Sequence, residues 1–186
     1  MQENKQQIVG SSTACLMMLC HSDLKLYTAN IGDSGFLVVR CGEVVHRSQE
    51  QQHYFNTPFQ LSLPPTELQS EVLADRPDAA DQYAFSVEDG DVILLATDGI
   101  FDNVPDRLLV EEMDKVQHCK DEVVLQQSAN TIALMARRLS RDSQVTVLYI
   151  GISHPSLLSC FLKLPPLSTF NCHSLSSSSL LSQSTR

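Results

Sequence analysis

A chain of 186 residues is long enough for one domain with a sizeable core and short for two. Its 22 acidic against 13 basic side chains give a formal charge of -9, which disfavours a nucleic-acid backbone as partner and is compatible with cation binding. No apolar run reaches the roughly 18 residues that a membrane span needs, and the amino end, MQENKQQIVG, has the pattern of neither a signal peptide nor an Arg-rich presequence.

In chain order the pattern is strand-rich and then helical. TACLMMLC (13–20) is a short apolar run and KLYTANIG (25–32) alternates. FLVVR (36–40) follows a Gly32-Asp33-Ser34-Gly35 turn, and Cys41-Gly42 leads into EVVHR (43–47). These segments read as antiparallel hairpins. Residues 48–81, rich in Gln, Pro and acidic side chains, are expected to form a long irregular excursion, a kind of loop that is usually functional or mobile. YAFSV (83–87), an Asp89-Gly90 turn and DVILLA (91–96) read as another hairpin.

A helix is expected from about Pro105, with Leu108, Leu109, Met113 and Val116 on one face. A second begins near Asp121 and repeats Leu125, Ala129, Ile132, Ala136 and Leu139. QVTVLYIG (144–151) reads as a last strand. Beyond Gly151 the composition shifts: the last 35 residues hold 11 Ser, no Asp or Glu, and only Lys163 and Arg186 as charges. The division expected is a domain over 1–151 and a disordered Ser/Leu-rich tail over 152–186, granted at most a short helix near Leu157 to Leu164. An aperiodic pattern offers no continuous face to bury against its ordering entropy.

Chemistry-bearing residues concentrate in ATDGIFDN (96–103). The run Val92–Ala96 has the character of a strand buried on both faces, and Asp98 and Asp102 stand where it leaves the sheet. Carboxylates there can hold a metal or begin a helix, and on spacing alone the turn or cap reading leads. Six cysteines, at 15, 20, 41, 119, 160 and 172, form no CxxC pair and no Cys/His grouping at zinc spacing, so they read as reduced, mostly structural thiols. Cys15 and Cys20 read as core. His46 and His53 read as solvated loop histidines. Ser11, Ser12 and Thr13 lack a GxSxG elbow and read as satisfying backbone groups at a strand start.

GSSTA (10–14), TANIGDSG (28–35) and DGDVILLATDGIFDN (89–103), in this order and each at a strand boundary, resemble the metal-dependent protein phosphatases, the PPM or type-2C serine/threonine phosphatases. HRSQEQQHYFNTPFQL (46–61) resembles more specifically the mitochondrial branch, the T-cell-activation type-2C homologs. The likeness covers about residues 6 to 142. It implies an α+β fold, a four-layer α-β-β-α sandwich of two antiparallel sheets flanked by helices, here incomplete at the amino end.

The resemblance also implies hydrolysis of phosphoserine and phosphothreonine in phosphoprotein substrates, by water activated between two Mg2+ or Mn2+ ions roughly 3.5 to 4 Å apart. Such ions suit an all-oxygen site. Carried over by motif, Asp98 resembles the core ligand, and Asp33 and Asp102 resemble the carboxylates of a further, weaker ion. Gly99 would let the chain turn after the ligand, and Phe101 would pack. A mitochondrial location is implied by the likeness, with the cytoplasm left open because no presequence is visible. No nucleic acid and no membrane span are expected, and the oligomeric state is left open.

Two departures from the family pattern matter. The family's first Asp-Gly motif, with its bridging aspartate and phosphate-contacting basic groups, has no counterpart before Ser11, where Glu3 is the sole carboxylate. Ser143 and Gln144 stand where an Asp-Asp or Asp-Asn pair precedes the family's final strand, and Asp142 falls one position early. The chain therefore reads as a partial form. Either it is a phosphatase, or it is a catalytically impaired fragment that binds partners or competes for substrate.

Overall fold

The computed structural model describes residues 10–64 and 73–141, together with the backbone of 159–163. In chain order the first elements are β1 (Gly10–Ser12), β2 (Ala14–Cys20), β3 (Lys25–Ile31), β4 (Gly35–Arg40) and β5 (Glu43–Arg47). The excursion follows, then β9 (Asp81–Ser86), β10 (Val92–Ala96), α1 (Asp98–Phe101), α2 (Asp106–Asp114), α3 (Glu122–Leu139) and β11 (Ser159–Lys163). Two hairpins are as expected. β2 and β3 pair from Ala14 opposite Ile31 to Cys20 opposite Lys25. β4 and β5 pair through Cys41 and Gly42, whose φ values of 50° and 72° suit a tight turn twisted like its strands.

The other two expected hairpins are crossovers. β3 pairs with β2 and β9 in a three-stranded sheet, whereas β4 pairs with β10 and β5 in a four-stranded one, in the order β11-β10-β4-β5. The GDSG turn and the Asp89-Gly90 turn therefore carry the chain from one sheet to the other. Burial explains why. Phe36, Val38 and Ile93 face the three-stranded sheet and pack with Leu26 and Val87. Leu37, Val39, Val92, Leu94 and Ala96 face the helices and pack with Ile100, Leu109, Met113, Ile132 and Ala136. Strands apolar on both faces must lie between two layers, and a direct hairpin would leave one of those faces wet. Each fully buried Leu, Ile, Val or Phe contributes about 1.5–3 kcal/mol.

The helices follow their sequence signals. Asp121 caps α3 by accepting the Val123 N–H at 2.8 Å, and Ala129, Ile132 and Ala136 bury one stripe. Ser128 ties α3 to α2 by donating to Glu112 Oε1 at 2.9 Å. The excursion is more ordered than its composition suggests. It holds the hairpin β6 (Gln52–Tyr54) with β7 (Thr57–Pro58), then β8 (Leu61–Leu63), which pairs with β1, and a short 3-10 turn at Pro77–Ala79. Pairing with β1 satisfies the backbone groups of β8 within the fold.

The segment after Gly151 also departs from expectation. Ser159–Lys163 is a strand, antiparallel to β10 from Val92 opposite Lys163 to Ala96 opposite Ser159, where at most a short helix was expected. A buried central strand needs ladder partners on both edges, and that demand overrides the weak local pattern. The expected strand at 144–151, Asp142, and the rest of the expected tail lie outside the described residues. Three of the four expected layers are present among the described residues. No described helix covers the outer face of the three-stranded sheet, where Leu16 is 57% and Met18 62% exposed.

At the end opposite the GDSG turn, Asp91 is fully buried and accepts two hydrogen bonds from Arg40, Nε to Oδ1 at 2.7 Å and Nη2 to Oδ2 at 2.8 Å. The Glu88 N–H adds a third at 2.9 Å. Replacing Arg40 strands a buried carboxylate, so Arg40→Ala is expected to lower the unfolding free energy by about 3 kcal/mol. Urea denaturation reads this directly, and a loss under about 1 kcal/mol, the size of an exposed pair, would show that the pair carries no special weight.

Candidate functional site

The site grows out of the β4–β10 register. Gly35 pairs with Ala96 at the end of the ladder, so the segments that carry Asp33 and Asp98 leave the sheet at the same end. The two motifs are thus one structural unit. Backbone constraints hold the Asp33 side. Gly32 has φ +96°, and a Cβ there would stand 2.4 Å from Thr13 Cγ2 and 2.6 Å from the Phe59 carbonyl oxygen, so only glycine fits. Gln51 clamps it from both directions, donating its N–H to the Gly32 carbonyl at 3.0 Å and accepting the Gly32 N–H on Oε1 at 3.3 Å. Thr13 Oγ1 and Ser34 Oγ share a hydrogen bond of 2.8 Å, which ties GSSTA to GDSG. The Ser48 Oγ accepts the Phe36 N–H at 2.9 Å and would stand 2.0 Å from a Cβ at Gly35.

On the other side β10 ends and α1 begins at Asp98, so the two readings of this carboxylate, helix start and ligand, are compatible. Its Oδ1 accepts the Gly99 N–H at 2.7 Å, and its carbonyl accepts the Asp102 N–H at 2.8 Å. Asp98 and Asp102 are four apart on one turn of helix and share a face. Gly99 lies inside α1 with no positive φ, so it is not the turn residue the motif suggested. The chain bends through helix formation instead. Phe101 packs against the helix-side core, as expected.

The carboxylates at this end act on one another's charge. The pKa of Asp33 is raised to about 6, first by burial, then by the charge of Asp98 and also of Glu50. That of Asp102 is likewise raised to about 6 by burial, Asp98, Glu50 and Asp33, with Arg47 opposing. Asp33, Asp98 and Asp102 are therefore brought together, and Glu50 and Arg47, which the motifs gave no reason to single out, join them. Arg47 ends β5, and Glu50 lies three residues beyond it in the stretch that composition reads as irregular. The histidines are elsewhere. His46 is not a solvated loop residue: it lies in β5 with its ring 3.8 Å from that of Phe85, and burial, then Arg40, lowers its pKa. His53 stacks on Phe59 at 4.1 Å and pairs with Asp75 at 3.0 Å. Ser12 Oγ donates to the Thr13 carbonyl. Cys15, Cys20 and Cys41 are free thiols, with Cys15 packed between the sheets and its pKa pushed up to about 12 by burial.

Among the described residues no three His, Cys, Asp or Glu side chains converge as a ready-made metal cage. The donor chemistry nonetheless fits a hard divalent cation. The carboxylates repel one another in its absence, and Mg2+ in particular is often held by one or two carboxylates with water filling its remaining positions.

Residues 1–139 match the family model described as protein phosphatase 2C. The chain belongs to the protein phosphatase 2C family. It is similar to the protein phosphatase PTC7 homologs of Xenopus laevis and Homo sapiens, 56% identical to each over 140 residues that make up 75% of this chain and 47% and 46% of theirs. Among solved structures it is similar to the photosystem II phosphatase PBCP, with 31% identity and a TM-score of 0.60 over 72% of this chain and 47% of that one. The chain thus spans about half the length of the relatives it matches.

Raised carboxylate pKa values have a definite sign. Between pH 4 and about 6 the folded chain binds more protons at Asp33 and Asp102 than the unfolded chain does, so stability falls as pH rises through that window. In EDTA, Asp102→Asn is expected to raise the melting temperature at pH 7 and to flatten its decline between pH 4.5 and 6.5. A variant that melts lower than the parent at pH 7 would show that Asp102 is held by stabilising contacts and not repelled.

Proposed function

We propose that this chain contributes the Asp33, Asp98 and Asp102 carboxylates to a phosphoserine and phosphothreonine phosphatase centre that uses Mg2+ or Mn2+, acting on phosphoproteins. The observation that carries the reading is that the β4–β10 ladder releases Asp33 and Asp98 at the same end of the sheet, where each lies within reach of the other's charge, with Asp102 one helical turn on. When bound, the ions supply an activated water and charge neutralisation for the phosphoryl oxygens. The chain's own part is positional. Gln51, the Thr13–Ser34 hydrogen bond and the Ser48 contact fix the turn that carries Asp33. Asp98 is fixed by the start of α1, and its Oδ1 bond to the Gly99 N–H orients one oxygen and leaves the other for an ion. Asp98 is the core ligand in this proposal, and Asp33 and Asp102 hold an outer ion through more water.

A second reading, a module that binds phosphoproteins or competes for them without turnover, is favoured by one observation: no three-carboxylate cage forms among the described residues. Two close dications repel strongly, and joint occupancy needs more carboxylates than these. A mitochondrial location belongs to the same proposal and rests on the resemblance of residues 46–61; imaging of a tagged full-length form tests it.

Hydrolysis of a phosphothreonine peptide in excess Mn2+ separates the two readings. The 186-residue chain is expected to be nearly inactive beside a version preceded by the family's first Asp-Gly segment, and equal rates within about tenfold would show the upstream carboxylates to be dispensable. In Mn2+ titrations Asp98→Asn is expected to weaken binding more than Asp33→Asn or Asp102→Asn. Equal losses would remove the distinction between core and outer ligands.

A further inference from the structure

The carboxylates at this end of the sandwich create a difficulty for any phosphorylated substrate, because Asp33, Glu50, Asp98 and Asp102 all repel an incoming phosphoryl dianion. Arg47 is a cation whose charge reaches Asp102. It is the last residue of β5, and its side chain is 33% exposed. Its guanidinium carbon lies 5.1 Å from the centroid of the Phe101 ring, and Phe101 belongs to the same short helix as Asp98, one residue before Asp102. Nη1 donates to Asp106 Oδ1, at the start of α2.

A guanidinium carries five N–H donors in a rigid planar fork, and the hydrogen bonds seen among the described residues engage one of them. A strut linking β5 to α1 and α2 needs no more than that. The Phe101 contact does something further: a guanidinium already held within cation–π range of a ring has less rotamer entropy left to lose when it also binds an anion. A planar pair of N–H donors matches two phosphoryl oxygens, which an ammonium cannot do.

We propose that Arg47 is a substrate-contacting residue, binding the phosphoryl group as it arrives on the Asp102 side of the carboxylates. This rests on the phosphatase reading above and gives it a basic group from within the described chain. The ion pair with Asp106 holds the guanidinium while the site is free, and the N–H groups it leaves over serve the phosphoryl oxygens.

The test uses the full chain, Arg47→Ala, Arg47→Lys and Asp106→Asn. Each is measured for affinity toward a phosphothreonine peptide and its unphosphorylated form, for hydrolysis in Mn2+, and for melting temperature. Arg47→Ala is expected to weaken phosphopeptide binding roughly tenfold or more, the size of a lost charged hydrogen bond, without altering the response to the unphosphorylated peptide. Arg47→Lys should restore only part of the affinity. Asp106→Asn should lower the melting temperature and leave phosphopeptide affinity within about twofold.

Unchanged phosphopeptide affinity in Arg47→Ala or Arg47→Lys, with only a lower melting temperature, makes Arg47 a strut and overturns the inference while the phosphatase reading stands. Binding that depends on Arg47, with hydrolysis absent from this chain and from its upstream-extended version, overturns the phosphatase reading and leaves Arg47 as the phosphate contact of a binding module. A parent chain with no preference for the phosphorylated peptide overturns the inference outright.

Discussion

The two-sided burial of β4 and β10 is the constraint from which the rest of the molecule follows. A strand that hides Leu37 and Val39 on one face and Phe36 and Val38 on the other cannot sit at a surface. Its partner β10, with Val92, Leu94 and Ala96 on one side and Ile93 on the other, has the same need. The layers form to cover these faces: helices over one, the β2-β3-β9 sheet over the other. Because the faces fix the register and a slip of one residue would turn each strand inside out, the residues just past the ladder are fixed as well. Asp33 and Asp98 leave the sheet at the same end as a consequence of core packing.

Charge is distributed unequally along this pair. At one end Asp91 is fully buried and satisfied by Arg40 and the Glu88 N–H. At the other, Asp33, Asp98, Asp102 and Glu50 crowd together with Arg47 as partial compensation. The first arrangement is what a stable fold does with a buried carboxylate. The second is what a fold tolerates when the charge has another use, and the core between the two ends supplies the stability to bear it.

The residues that carry this chemistry were legible because they are local. ATDGIFDN and GDSG each place a carboxylate at a strand exit, and an apolar run such as Val92–Ala96 declares its burial. What could not be read is what depends on a distant partner. The GDSG and Asp89-Gly90 turns look like hairpin turns, yet both change sheet, because the choice is made by which layer the next strand must enter. Ser159–Lys163 has no strand pattern of its own and is ordered by the free edge of β10. Arg47 and Glu50 lie within the 46–61 stretch without standing out in it; their place comes from the length of the β4–β5 hairpin and the Ser48 contact that ends it. Gly99 was misread for a related reason, since a dipeptide typical of turns opens a helix when Ile100 has a core to enter.

The pairing of β4 with β10 joins segments separated by roughly fifty residues of chain, a long-range contact whose loop-closure entropy must be met before any of its benefit is felt. The β2–β3 and β4–β5 hairpins are local and can form early, but neither brings two of the three aspartates together. A chain still emerging from the ribosome, or one stalled with only its hairpins made, therefore has no cluster of carboxylates and no appetite for a dication. The gathering of Asp33 with Asp98 therefore waits on that long-range pairing, so the crowding of their charges is a mark of the assembled sandwich and not of its local pieces.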